Sequence, residues 1–201
     1  MTGHDARALA TPFTLGGHTL RNRLVATAHA TAAVAEGAPT HDDTAYWRRL
    51  AQGGAGMVIT GGTAVAAEST LPQRYLTEAW RPEIKDAVRR RAEAITDGGA
   101  VAIAQLVHLG RETLGAGTYY APVSAAAVRS PREASAPHPL STEEVRHVVD
   151  AFRISAANSV QAGSTASNCT QVTAICSPSS SPAPTTPAPT STATGSPCSP
   201  R

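Results

Sequence analysis

Three short segments contain the residue types that could do chemistry: Thr27-Ala28-His29, Gly61-Gly62-Thr63, and Gln105-Leu106-Val107-His108-Leu109-Gly110-Arg111. Each ends an apolar run, and in a parallel α/β fold functional groups collect at the carboxyl ends of strands. A plainer role stands beside each. Two glycines after a strand usually form a turn, a glutamine can satisfy loose backbone groups, and His29 or His108 can be a structural hydrogen-bonder. Their shared position on one rim is what favours a site. Other chemistries are excluded by pattern. No G-x-G-x-x-G opens a helix after a strand, and no Gly-rich loop ends in Gly-Lys-Ser/Thr. The histidines lack metal-ligand spacing, so no metal site is expected. No serine or cysteine stands in a nucleophile's setting.

The elements that must carry these segments follow from local pattern. Phe13-Thr14-Leu15 and His18-Thr19-Leu20 flank Gly16-Gly17, which predicts a hairpin because paired glycines accept positive φ. A first strand is expected over Arg23 to Ala28. Thr40 can cap a helix over Asp42 to Gln52, with Tyr46, Trp47, Leu50 and Ala51 on one face and Gly53-Gly54 as its stop. The strand Gly56 to Thr60 comes next. Pro82 suits the first turn of a second helix whose Ile84, Ala87, Val88 and Ile95 recur at helical spacing, ended by Gly98-Gly99 before a strand over Ala100 to Val107. Ser141-Thr142-Glu143-Glu144 is a capping box for a third helix, with Val145, Val148, Val149, Phe152, Ala156 and Val160 along one face up to Gly163. Alternation of this kind implies a parallel sheet with right-handed crossovers, as in a barrel or an open doubly wound sheet. A fourth strand is due directly after Gly163, and no apolar run appears there.

Composition explains where the pattern stops. The chain has 201 residues, 41% of them apolar, but charges are spread from Met1 to Gly163, and Ser164 to Pro200 contains none. That second segment, rich in Ser, Thr, Pro and Ala, has little to bury against the entropy of ordering, and residues 164–201 are expected to be disordered. All three cysteines lie within it, so the body has no thiol for a disulfide or a metal. No run of about 18 apolar residues occurs, and the net charge of +2 is small and dispersed. A cytoplasmic protein that binds neither membrane nor nucleic acid is expected.

Pro12 to Val25 (PFTLGGHTLRNRLV), Gly56 to Thr63 (GMVITGGT) and Gln105 to Arg111 (QLVHLGR) resemble the first three barrel strands of the old yellow enzyme family, the FMN-dependent ene-reductases and NADH:flavin oxidoreductases. The resemblance covers Thr11 to Gly163. Ala28-His29-Ala30-Thr31 and the double glycine are most similar to the branch of 2,4-dienoyl-CoA reductases and trimethylamine dehydrogenase-like enzymes. It implies that residues 1–163 are the N-terminal portion of a (β/α)8 TIM barrel. FMN, with NADH or NADPH as reductant, would serve a small-molecule alkene or thioester substrate. An iron–sulfur cluster is implied only if further domains follow in the intact gene. By position, Thr27, Ala28 and His29 would line the flavin through largely backbone contacts. Gly62 would let the chain approach the ring closely. Gln105 would read the pyrimidine edge, since a carboxamide both donates and accepts. The family commonly has a Glu where Gly61 stands and a hydroxyl or thiol where Ala30 stands. Its substrate-binding His pair and its Gly-Tyr belong to the fourth strand, so no catalytic residue is assigned. The other functions that fit are an amine dehydrogenase of the same barrel family and a non-catalytic interaction module with a disordered tail.

The missing strand is recoverable from a shifted reading frame. If each new codon takes the third base of one residue's codon and the first two of the next, Asn168-Cys169 gives only Leu and Cys169-Thr170 only His or Tyr. Permitted bases elsewhere give Asp-Gly-Ile-Glu-Leu-His-Ala-Ser-His-Gly-Tyr from Ser164 onward. Pro187 to Ala193 similarly permits Arg-Thr-Asp-Glu-Tyr-Gly. Both resemble the family's next signatures, in order, whereas composition alone suggests a linker or glycosylated stalk. The expectation is a chain truncated and frameshifted after Gly163 and inactive as written. It requires the codon TCG at Ser164. Sequencing the gene across that codon checks it, and AGC or AGT there excludes the shifted start.

Overall fold

A computed structural model describes residues 7–69, 75–112 and 120–170 of the chain. The strands are β1 (Phe13–Leu15), β2 (His18–Leu20), β3 (Val25–Ala26), β4 (Val34–Ala35), β5 (Ala38–Pro39), β6 (Met57–Ala64), β7 (Thr77–Glu78), β8 (Val101–Val107), β9 (Val123–Ser124), β10 (His138–Pro139) and β11 (Ala166–Thr170). The α-helices are α1 (His41–Gln52), α2 (Lys85–Asp97) and α3 (Thr142–Gln161).

The central sheet is parallel, in the order β11-β8-β6-β3, with β7 against the end of β6. The strands therefore lie side by side in chain order. Right-handed crossovers that step in one direction put all their helices on the same face, which builds a barrel wall and not a doubly wound sheet. The core between the layers is Trp47, Ala51, Val58, Ala92, Ile95, Ala100 and Ala102, continued by Val65, Leu106, Val148 and Phe152. Met57, Ile59, Val101, Ile103 and Gln105 alternate onto the opposite, inward face.

The capping chemistry forms as the residues predict. Thr40 accepts from the Asp43 N–H at the start of α1, and Gly53 ends that helix. The Arg21 side chain donates to the Ala51 and Ala55 carbonyls and so satisfies the C-terminal end of α1. The β1/β2 hairpin turns through Gly16 and Gly17 at φ of 55° and 82°.

Four features differ from expectation. The first barrel strand is only Val25–Ala26 because its sole ladder partner among the described residues is β6, through Met57 and Val58. An unforeseen hairpin, β4/β5, turns on Glu36 and Gly37 at φ of 51° and 74°. On α3 the buried face is Val148, Ala151, Phe152, Ser155 and Ser159, while Val149 and Val160 are 62% and 52% exposed. Serines occupy the close approach, and the Ser155 hydroxyl donates to the Val65 carbonyl at 3.3 Å. Finally, a fourth strand does form. β11 pairs in parallel with β8, from Ala166 against Ile103 to Thr170 against Val107. A ladder needs only backbone groups, and the free edge of β8 offers them. The disorder expected from Ser164 is thus corrected for 164–170, and 171–201 lie outside the described residues.

The α3 cap carries a pH dependence. Ser141 N–H donates to Glu144 at 2.7 Å and Glu144 N–H to the Ser141 hydroxyl at 3.3 Å. The Ser141 bonds, with His138 beside them, hold the Glu144 carboxyl down from 4.5 to about 2. A depressed folded-state value means that the cap's contribution is complete above about pH 4.5 and lost as pH falls toward about 2. Amide exchange at residues 142–145 should accelerate across that window, and Glu144→Gln should abolish the dependence.

Candidate functional site

The three rim segments meet in one place. β6 and β8 pair Thr60 with Ala104 and then Thr63 with Leu106, so Gly61 and Gly62 together face the single residue Gln105. The double glycine is a β-bulge and not a turn. On the other side, β11 sets Asn168 opposite Gln105 in register. The end of β3 closes against the bulge. A Cβ placed on Gly61 would stand 2.0 Å from the His29 carbonyl oxygen, so only glycine lets the two backbones pass this closely. Thr27 to His29, Gly61-Gly62 and Gln105 therefore form a continuous arc across three strands.

Within that arc the side chain of His29 turns away from the barrel interior, toward α1. Its Nδ1–H donates to the Thr27 carbonyl at 2.9 Å, which leaves Nε2 to accept from the Tyr46 hydroxyl at 2.6 Å. Its ring lies 4.9 Å from that of Trp47 and 5.4 Å from that of Tyr46. What His29 offers the rim is consequently backbone. Gly62 has neighbours other than those its expected role implies. A Cβ there would sit 3.0 Å from Leu76 Cδ2 and 3.4 Å from Val107 Cγ1, in an apolar cluster. Gln105 is half-buried on the inward face, and its carboxamide has no hydrogen-bond partner among the described residues.

His108 is structural. It is fully buried, and its Nδ1 accepts from the Gly110 N–H at 3.0 Å. Its Nε2 stands 3.9 Å from Glu68, an electrostatic contact too long for a hydrogen bond. That ring, joined by His147 at 3.8 Å, holds the Glu68 carboxyl below the usual carboxylate range against the opposing effect of burial. The Arg111 side chain reaches away to the Val128 carbonyl at 3.2 Å. No group of three or more metal-ligating side chains occurs among the described residues.

Sequence reasoning missed Asp43 and Arg91, which form a buried ion pair at 3.2 Å behind the rim. A signal was present for the second: Arg91 falls on the stripe of Val88 and Ile95, where an apolar residue belongs. Asp43 was hidden because acidic residues are ordinary in a helix's first turn.

Comparison with known proteins gives the family and the fold. The profile of the NADH:flavin oxidoreductase / NADH oxidase family matches residues 8–169. A "Probable N-methylproline demethylase" of Rhizobium meliloti is 38% identical over 105 residues, 52% of this chain and 16% of that protein. An NADPH dehydrogenase of Bacillus cytotoxicus is 29% identical over 77% of this chain and 44% of its own length. The chain therefore spans less than half of either relative. The solved structure of morphinone reductase superposes with a TM-score of 0.76 at 21% identity, over 84% of this chain and 49% of that one, and shares the fold.

The geometry separates two substitutions. Gly61→Ala drives a methyl into the His29 carbonyl and should lower stability by about 1–3 kcal/mol. Gln105→Leu breaks no described hydrogen bond and should stay within about 0.5 kcal/mol. Urea unfolding of both variants beside the parent checks the contrast.

Proposed function

Because the chain belongs to the NADH:flavin oxidoreductase / NADH oxidase family, also called the old yellow enzyme family, we propose that it is the first wall of an FMN-dependent oxidoreductase. Its substrate would be a small activated alkene, an enone or a dienoyl thioester, and its reductant NADH or NADPH. One observation carries the reading. The Gln105 carboxamide, on the inward face and without a hydrogen-bond partner among the described residues, stands opposite a glycine bulge whose backbone lies against His29, just after the first strand.

These residues fit a flat heterocycle with a donor and acceptor edge. The Gln105 carboxamide both donates and accepts, so it suits the pyrimidine edge of an isoalloxazine. Backbone groups of Thr27 to His29 would hold the side of the ring, with the His29 side chain kept out of the way by Tyr46 and Trp47. When bound, FMN would supply the hydride-transfer chemistry between the nicotinamide and the alkene. In such barrels the phosphate is held after strands seven and eight, and the described residues include four barrel strands. A cytoplasmic location fits the absence, among the described residues, of any helix long and apolar enough to cross a membrane.

A second reading, oxidation of an N-methylated amine on the same barrel, is favoured by the 38% identity to the demethylase described above. Side-by-side assay of the intact gene product with an enone and with an N-methyl amino acid distinguishes the two.

For the chain itself, the ring contacts of the described residues predict that riboflavin and FMN both bind. Titration by flavin fluorescence should show this. Gln105→Leu should weaken both ligands about tenfold, the worth of one or two neutral hydrogen bonds. Unchanged affinity in that variant refutes the assignment.

A further inference from the structure

Behind the rim, the helix layer holds a buried charge for which the flavin assignment has no use. Asp43 and Arg91 are 1% and 3% exposed. Arg91 Nη1 donates to Asp43 Oδ2 at 3.2 Å and to Thr77 Oγ1 at 3.0 Å. The other carboxylate oxygen, Oδ1, accepts from the Trp47 indole N–H at 3.0 Å and from the Thr31 hydroxyl at 2.6 Å. Burial pushes the Arg91 guanidinium below its ordinary value and Asp43 opposes that, so the pair remains ionic. A buried ion pair contributes little net stability, because desolvating two charges offsets most of their attraction. Its value here is geometric.

The contacts of Asp43 lead to His29 by two routes. Thr31 lies two residues beyond His29 on the same segment, and the Trp47 ring lies against the His29 ring. Between His29, Gly61, Trp47 and the ion pair the free space is only about 10 Å³, room for no more than about one water. His29 is exposed on its outer side, and on its inner side a shift of the carboxylate passes to the imidazole through Trp47 and Thr31. The ring is itself held in one tautomer, with the neutral proton on Nδ1 facing the Thr27 carbonyl and Nε2 facing the Tyr46 hydroxyl.

We propose that Asp43, anchored by Arg91, is a positioning residue: through Trp47 and Thr31 it fixes the His29 ring, and with it the His29 carbonyl against Gly61, keeping the first-strand side of the rim in line with Gln105. The functional meaning of this rests on the rim being the flavin site, but the positioning itself is measurable without flavin.

The test is ¹⁵N NMR of the His29 ring in the flavin-free full chain, in the parent and in Asp43→Asn, Thr31→Val and Trp47→Phe. Asp43→Asn removes the charge facing Arg91. Thr31→Val and Trp47→Phe each cut one tie to the carboxylate and leave the ion pair in place, so they remain informative if the first variant does not fold. The parent should show the ring ¹⁵N shift pattern of that tautomer. An averaged pattern is expected in the folded variants. An unchanged His29 pattern in folded Thr31→Val and Trp47→Phe overturns the proposal and leaves the pair as scaffold only. A riboflavin titration of the same samples separates the two ideas. If the His29 signature is lost while affinity stays at the parental value, positioning stands and the flavin assignment of this side of the rim fails.

Discussion

Two residues of the second barrel strand share one residue of the third at Gly61, Gly62 and Gln105, and the arrangement of both layers follows from that count. Before the bulge, Val58 points to the helices and Met57 to the interior. After it the parity is reversed, so that Val65 joins Leu106, Val148 and Phe152 under α3 while Ala64 joins Leu76, Val107 and Leu109 on the other side. A bulge also bends its strand and increases local twist, and here it brings the backbone against the His29 carbonyl. Side chains at positions 61 and 62 would block the first approach and crowd Leu76 at the second. Glycine is thus a steric requirement of the rim whether or not a ligand is present.

The helix layer supports the rim by a different kind of interaction. Apolar contacts through Trp47, Ala51, Ala92 and Ile95 set the distance between α1, α2 and the sheet but give no direction. Direction comes from the three hydrogen bonds that converge on the Asp43 carboxylate and the one from Arg91 to Thr77, because each is satisfied only at one relative placement of the segment around Thr31, the two helices and Thr77. Burial of the indole of Trp47 would itself be costly without an acceptor for its N–H, and Asp43 provides it. The aromatic ring and the carboxylate therefore solve one another's problem.

What was legible in the sequence was whatever local chemistry decides. Thr40 and the Ser141/Glu144 box mark helix starts because an orphan N–H needs an acceptor nearby in the chain, and Gly16-Gly17 marks a turn because φ must be positive. The rim residues could be placed at strand ends for the same reason. Partners distant in the chain were not legible. Nothing near Gly61-Gly62 distinguishes a bulge from a turn, since the difference lies in whether β8 continues alongside. Val149 and Val160 fit a helical stripe as well as Ser155 and Ser159 do, and only the closeness of Val65 shows that small hydroxyl side chains belong in the contact. Ala166 to Thr170 carries no apolar signal, yet the edge of β8 recruits its backbone.

The extra residue at the bulge makes the length of this strand less constrained at that point than its composition. Removing a single codon at the double glycine would keep the translation in frame and delete the least bulky residue in the protein. It would also close the bulge, leaving one glycine opposite Gln105 with Ala64 still opposite Val107 and Val65 still under α3, so both apolar clusters would be kept and only the bend toward His29 lost. A three-nucleotide gap at that point would therefore spare both layers of the wall and cost it only the close approach at the rim.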